Sequence, residues 1–168
     1  MVSTAVFGAG CFWGVEVLFE AMLGVSLVTS GYAGGHTDNP TYREILKGDT
    51  GHIEVVQIEY DKEVISYEEL LDKFFFIHDP TTLDRQGPDV GEQYKSIIFY
   101  NDNLEKKLAE EKIIEVNQSD EFEQLVVTEL RPTSIFYPAE EYHQNYSVKN
   151  NKICYQQLYV QYKNSPIP

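Results

Sequence analysis

The sequence predicts an α+β fold, and three observations point there. Hydrophobic spacing switches between period two and helical period in the order βα, ββα, βαβ, which suits an antiparallel or mixed sheet with helices on one face. No repeat, low-complexity tract or Pro/Gly/Ser linker interrupts the 168 residues, a length that fits one domain of roughly 100–200 residues. A doubly wound dinucleotide fold is disfavoured on steric grounds. Gly8-Ala9-Gly10 opens like its fingerprint, but bulky Trp13 stands where the third glycine must be, and the next glycine, Gly14, comes one residue late. The expected organisation is one domain over residues 1–168, with a less ordered tail from about residue 147.

Residues 2–7 read as a short strand, broken by Gly8-Ala9-Gly10, and Gly14 to Met22 carries apolar residues at helical spacing. Cys11 falls at this strand-to-helix junction. Residues 25–32 read as a second strand, followed by a loop with Gly34-Gly35-His36, and residues 53–60 as a third. In that third strand Glu54 shares a face with Val56, Ile58 and Tyr60. Ser66-Tyr67-Glu68-Glu69 has the form of a capping box opening a helix through Leu70, Leu71, Phe74, Phe75 and Ile77, which should stop near Asp79-Pro80. Residues 95–100 form a fourth strand, 102–117 a charged amphipathic helix and 125–131 a fifth strand. A short helix around Glu140 to Tyr146 leads into an irregular tail.

With 42% hydrophobic and 13% aromatic residues the chain can bury a core of ordinary size. A net charge of −14 offers no basic stripe, which argues against nucleic acid and anionic membrane as partners. No apolar run approaches the ~20 residues of a spanning helix, and Met1-Val2-Ser3-Thr4 lacks the cationic start of a secretory signal. A cytoplasmic location is expected.

Two cysteines are too few for a disulfide framework, so Cys11 and Cys154 are read as chemistry. At a helix N-terminus, unpaired N–H groups and the positive dipole end favour thiolate, so Cys11 is expected to titrate below the free value of ~8.5 and act as a nucleophile. Phe12 and Trp13, directly after it, are placed to wall an apolar pocket. His36, His52, His78 and His143 show no ligand spacing with either cysteine, so no metal is expected. These residues leave several readings open: a Cys/His thiol hydrolase, a non-catalytic thiol redox sensor, or a thiol oxidoreductase.

The segment Gly8-Ala9-Gly10-Cys11-Phe12-Trp13-Gly14 resembles the type A methionine sulfoxide reductases. The resemblance continues through Gly31–Gly35, Pro40-Thr41-Tyr42, Thr50–Val56, His78–Thr82, Arg85-Gln86-Gly87, Asp89-Val90-Gly91 with Gln93-Tyr94, and Ala139–Gln144, in family order. It implies a two-layer α/β sandwich related to the ferredoxin-like plait, with a mixed sheet and long coil segments. It also implies reduction of the S epimer of methionine sulfoxide, free or in proteins, through a cysteine sulfenic acid, with a thioredoxin-like reductant and no cofactor. A monomer is expected.

By the same resemblance Cys11 attacks the sulfoxide sulfur, Phe12 and Trp13 hold the S-methyl group, and Glu54, Tyr42 and Tyr94 donate protons or hydrogen bonds to the sulfoxide oxygen. Asp89 helps order the site. The chemistry demands such groups, because oxide is a very poor leaving group unless the oxygen is hydrogen-bonded or protonated as the sulfur is attacked. A carboxyl among apolar neighbours, as Glu54 is expected to be, has its anion disfavoured and its pKa raised. Cys154 is the remaining thiol and the expected resolving cysteine, closing a disulfide with Cys11 from a loosely held tail. Three positions depart from the family pattern. Asp84 and Pro88 stand where relatives often carry Asn, and Ile153-Cys154-Tyr155 meets the family's tail cysteine only across a gap of one residue.

Overall fold

In the computed structural model, which describes residues 1–165, the chain runs β1 (Val2–Ala9), α1 (Phe12–Glu20), β2 (Val25–Ala33), α2 (Tyr42–Lys47), β3 (Ile53–Asp61) and α3 (Tyr67–Phe76). There follow a small hairpin of β4 (Arg85–Gln86) and β5 (Asp89–Val90), a 3₁₀ turn (Glu92–Tyr94), β6 (Ser96–Tyr100), α4 (Asn103–Gln118), β7 (Glu129–Pro132) and β8 (Tyr137–Pro138). A second 3₁₀ turn (Glu141–His143), α5 (Tyr146–Lys149) and α6 (Tyr155–Asn164) complete it. The last three residues of the expected 1–168 domain lie outside the described residues.

The main sheet has the order β7-β6-β1-β3-β2-β8. Pairing is antiparallel except between β6 and β7, which run parallel, so the sheet is mixed. Its centre, β6-β1-β3-β2, is the plait order expected when two β-strand, helix, β-strand units interleave. Apolar residues of α1 (Phe12, Val15, Phe19), α3 (Leu70, Leu71, Phe74) and α4 (Ala109) pack on one face, against Phe7, Val56, Ile58 and Tyr60. The opposite face buries Val6, Ile53, Val55, Ile97 and Phe99 beneath coil that includes Phe136. The two faces read for residues 53–60 therefore carry two different cores. Glu54 points to the face that packs against the helices.

The capping box at Ser66 is present, with the Ser66 N–H donating to Glu69 at 2.8 Å and the Glu69 N–H to the Ser66 hydroxyl at 3.1 Å. Asp84, one of the departures from the family pattern, adopts φ 48°, a left-handed conformation that Asn and Asp tolerate better than most residues. Its carboxylate lies 3.5 Å from the Lys95 ammonium.

Three expectations need correction. The fifth strand is shorter than residues 125–131, because ladder pairing with β6 begins only at Glu129 opposite Ile97. The helix expected around residues 140–146 is a 3₁₀ turn followed by α5, separated by Asn145 at φ 55°. The irregular tail is largely helical and tied down at both ends of α6. Gln156 is wholly buried at the first end, and at the other Lys163 donates to the Phe76 carbonyl at 3.1 Å and pairs with Glu121.

Candidate active site

Cys11 is the N-cap residue of α1. Gly10 before it turns the chain at φ 91°, and a Cβ there would lie 2.7 Å from Gln86. The glycine is required both by backbone conformation and by space. The turn sets Cys11 against β3, where Glu54 is 1% exposed and its Oε1 accepts the Phe12 N–H at 3.1 Å. Burial pushes the Glu54 carboxyl up to about 8, with the Phe12 hydrogen bond opposing and the Asp89 charge reinforcing. A carboxyl in that range keeps its proton at neutral pH and can give it up, as a general acid must.

The expected depression of the Cys11 thiol is not found. Burial drives its pKa well above the ordinary thiol value, helped by the charges of Glu54, Cys154 and Asp89, and the one opposing influence is the backbone N–H of Trp13. The helix end is present, but it cannot offset the loss of water beside a carboxylate.

The remaining predicted residues gather here. Tyr42, first residue of α2, is raised to about 12 by burial and by the charges of Glu54 and Cys11. Tyr94, last residue of the first 3₁₀ turn, is raised for the same first cause, and Glu54, Tyr42, Asp89 and Cys11 all act on it. Both hydroxyls stay protonated and able to donate. Asp89, on β5, is raised by burial and held back by the Lys152 charge. Phe12 is buried against Tyr32, with ring centroids 5.7 Å apart. Trp13 is half-buried and stacks on Tyr146 at 3.8 Å and 10°.

Cys154 is not in a loose tail. It is 5% exposed, at the N-cap of α6, where its N–H donates to the Gln157 side chain at 2.8 Å and its sulfur lies 3.2 Å from the Ser147 hydroxyl. A Cβ on Gly14, in the first turn of α1, would come within 2.9 Å of the Cys154 Cβ, so the second thiol packs against the helix that the first one caps.

Two further residues of this site were given no role in it from sequence. His143 is wholly buried, takes the Trp13 indole N–H on Nδ1 at 3.0 Å and meets the Tyr42 ring edge-on at 4.4 Å. Glu140 accepts from the Tyr32 hydroxyl at 3.0 Å, the Tyr42 N–H at 3.0 Å and the Tyr142 hydroxyl at 3.2 Å, and these bonds help hold its carboxyl below the usual range. Both lie in the Ala139–Gln144 segment, which assigned them no task, and His143 was otherwise read only among the histidines without ligand spacing. His52 and His78 use both ring nitrogens on neighbours, and His143 accepts the Trp13 N–H on Nδ1.

The arrangement can hold an apolar group against Phe12 and Trp13, present an oxygen to one protonated carboxyl and two hydroxyls, and bring a thiol to the atom between. Comparison with known proteins points the same way. A profile of the family described as peptide methionine sulfoxide reductase matches residues 3–167. Peptide methionine sulfoxide reductase MsrA of Natronomonas pharaonis is 53% identical over 163 residues, 97% of this chain and 92% of that protein. Reduced Mxr1 from Saccharomyces cerevisiae superposes with a TM-score of 0.83 at 37% identity, over 92% of this chain and 90% of that one. Mxr1 in complex with Trx2 matches with a TM-score of 0.59 at 28% identity, over 86% and 84%.

Proposed function

The chain belongs to the peptide methionine sulfoxide reductase family, and we propose on that premise how its residues divide the reaction. It is an oxidoreductase that reduces methionine sulfoxide to methionine with thiol electrons, and its reductant is a thioredoxin-like protein. Cys11 is the nucleophile. Its sulfur bonds to the sulfoxide sulfur while Glu54 protonates the oxygen, with Tyr42 and Tyr94 donating hydrogen bonds to that oxygen and Asp89 ordering the site. The oxygen then passes to the Cys11 sulfur as its bond to the substrate sulfur breaks, the bond between the two sulfurs opens and methionine leaves, so methionine sulfoxide and Cys11 thiol become methionine and Cys11 sulfenic acid. The Cys154 thiol then attacks that sulfur, water departs, and the resulting disulfide is reduced by the dithiol of the thioredoxin-like partner.

The observation that carries this reading is the buried Glu54 carboxyl, raised to about 8 and bonded to the residue after the nucleophile. A redox sensor needs only the thiol, whereas a proton donor held beside it serves turnover. A neutral Glu54 no longer opposes ionisation of Cys11. The positively polarised sulfoxide sulfur, arriving at the thiol, favours the thiolate that the protein alone disfavours.

Phe12 and Trp13 receive the S-methyl group on one side and the acid waits on another, so the site discriminates between the two hands of the sulfoxide. The S epimer is the substrate, free or within proteins. Residues 1–168 act as one catalytic domain and as a monomer. No helix among the described residues is long and apolar enough to cross a membrane, and two cysteines, too few for a disulfide framework, suit the reducing cytoplasm. The test is incubation with each sulfoxide epimer and a dithiol, measuring methionine: the S epimer is converted and the R epimer is not. Conversion of neither would overturn the assignment.

A further inference from the structure

Gln156 is wholly buried, two residues beyond Cys154 in the first turn of α6. Its amide Nε2 donates to the Ala9 carbonyl at 2.9 Å and to the Cys11 carbonyl at 3.3 Å. These two carbonyls flank Gly10, the turn that delivers the nucleophile. The second bond matters more than its length suggests. The Cys11 carbonyl and the Phe12 N–H belong to one planar peptide unit, and that N–H donates to Glu54 at 3.1 Å. Gln156 and Glu54 therefore grip the same rigid plane from opposite ends.

The side chain also fits too closely to be filler. A Cβ on Gly10 would lie 2.9 Å from Nε2, and a Cβ on Gly14 would run into Oε1 and come within 3.1 Å of the amide carbon. Oε1 itself is buried without a hydrogen-bond partner among the described residues. An apolar side chain of similar length would remove that cost, so the amide's stability gain is partly cancelled by its own orphaned oxygen. Its distinctive contribution is orientation.

We infer that Gln156 is a positioning residue for the sulfoxide-reducing step, fixing the Cys11–Phe12 peptide so that the nucleophile and the Glu54 acid keep their mutual geometry. The inference rests on the reading of Cys11 and Glu54 above. It has a consequence beyond that reading: α6, which brings the recycling thiol, also tunes the first chemical step. A nucleophile misplaced by a fraction of a bond length slows displacement steeply, because the reacting atoms must meet close and aligned.

The test is single-turnover formation of methionine from the S sulfoxide by the reduced, full-length protein without added reductant, alongside thermal melting. Gln156→Met keeps length and loses both donors, and is expected to slow the burst roughly 10- to 100-fold with an unchanged KM for sulfoxide. Lys163→Met loosens the far end of α6 without touching the peptide, and is expected to lower the melting temperature while leaving the burst rate in place. Gln156→Glu supplies the pH readout. Its carboxyl donates an O–H when protonated and repels both carbonyls when ionised, so its rate relative to wild type should fall as pH rises.

A folded Gln156→Met with the wild-type burst rate, a Gln156→Glu ratio that is flat with pH, or an equal slowing in Lys163→Met would each overturn the inference. Should Gln156→Met not fold, the pH series of Gln156→Glu decides. Absence of any burst in wild type would instead count against Cys11 as nucleophile.

Discussion

Cys11 and Cys154 each stand at the N-cap of a helix, the first half-buried and the second buried, yet their surroundings differ in kind. Around Cys11 stand a buried carboxyl, a partly exposed carboxylate and two tyrosines, and burial with the Glu54 charge drives the thiol up. Around Cys154 stand neutral hydrogen-bonding groups, the Ser147 hydroxyl and the Gln157 amide. A helix N-terminus contributes typically 0.3–1 kcal/mol to an adjacent negative charge, less than one pKa unit, which is about 1.4 kcal/mol. At Cys11 that small favour is outweighed by burial and by the Glu54 charge. The first cysteine lies beside a buried carboxyl that accepts the next residue's N–H, whereas the second is hydrogen-bonded to Ser147 and packs against Gly14 in the first turn of α1.

The sharpest way to break this contrast is to remove each sulfur. Cys11→Ser is expected to abolish methionine formation even with excess dithiol, because the hydroxyl does not ionise to a nucleophile of comparable strength. Cys154→Ser is expected to keep about one equivalent of methionine per enzyme and lose thioredoxin-supported turnover, since no third cysteine exists to relay the oxidation. Non-reducing peptide mapping of the wild type after substrate should find a Cys11–Cys154 cross-link. A lasting sulfenic acid with Cys154 still free would mean that the two regions do not share a cycle.

The acid tests the difference from the other side. Glu54→Gln is expected to slow the reducing step by roughly 10²–10⁴-fold at neutral pH, the usual worth of a positioned acid. The wild-type rate should fall as pH rises through about 8, where Glu54 gives up its proton, and the variant should lack that limb.

Stability should move with the opposite benefit. In the folded chain Glu54 holds its proton up to about 8, against an ordinary value of 4.5. The native state therefore binds the extra proton between those limits and loses about 1.4 kcal/mol for each pH unit as pH rises through them. Glutamine carries no such cost. The melting temperature of the variant should gain on wild type between pH 5 and 8, and a constant difference would show that Glu54 is not protonated in the native site.

These contrasts also mark what could be read from the chain alone. β1, β2, β3, β6, α3 and α4 were legible because their signals are local, such as the alternation along residues 53–60 and the Ser66–Glu69 box. Alternation even placed Glu54 on the right face. What was not legible rests on partners far off in sequence. α2 has six residues, and the N–H of its first residue is satisfied by Glu140, 98 positions away. β8 exists as two residues only because they pair with Gly31 and Tyr32. α6 has a largely polar sequence, and its anchor, Gln156, reaches the Ala9 carbonyl 147 positions away. The pKa direction of Cys11 failed for the same reason: the helix start is local, whereas Glu54 and the burial are gifts of the fold.

The smallest change probes whether Cys154 is held as described. Ser147 has a single hydroxyl proton, and its oxygen lies 3.1 Å from the Trp13 carbonyl and 3.2 Å from the Cys154 sulfur. A carbonyl can only accept, so the hydroxyl proton goes to Trp13 and the Cys154 S–H donates to the Ser147 oxygen. The relay runs from the Cys154 thiol to the Trp13 backbone. Removing it in Ser147→Ala takes away one net hydrogen bond to each side, worth about 1 kcal/mol apiece at most, and leaves Cys11, Glu54 and their shared peptide untouched. The expected result is a modest drop in melting temperature and a change of less than about tenfold in the disulfide-forming phase. The methionine burst should keep its rate and amplitude. A slowed burst would mean that the Ser147 relay positions Trp13 for the sulfoxide, and the division between a region that reduces and a region that recycles would have to be redrawn through α1 rather than between α1 and α6.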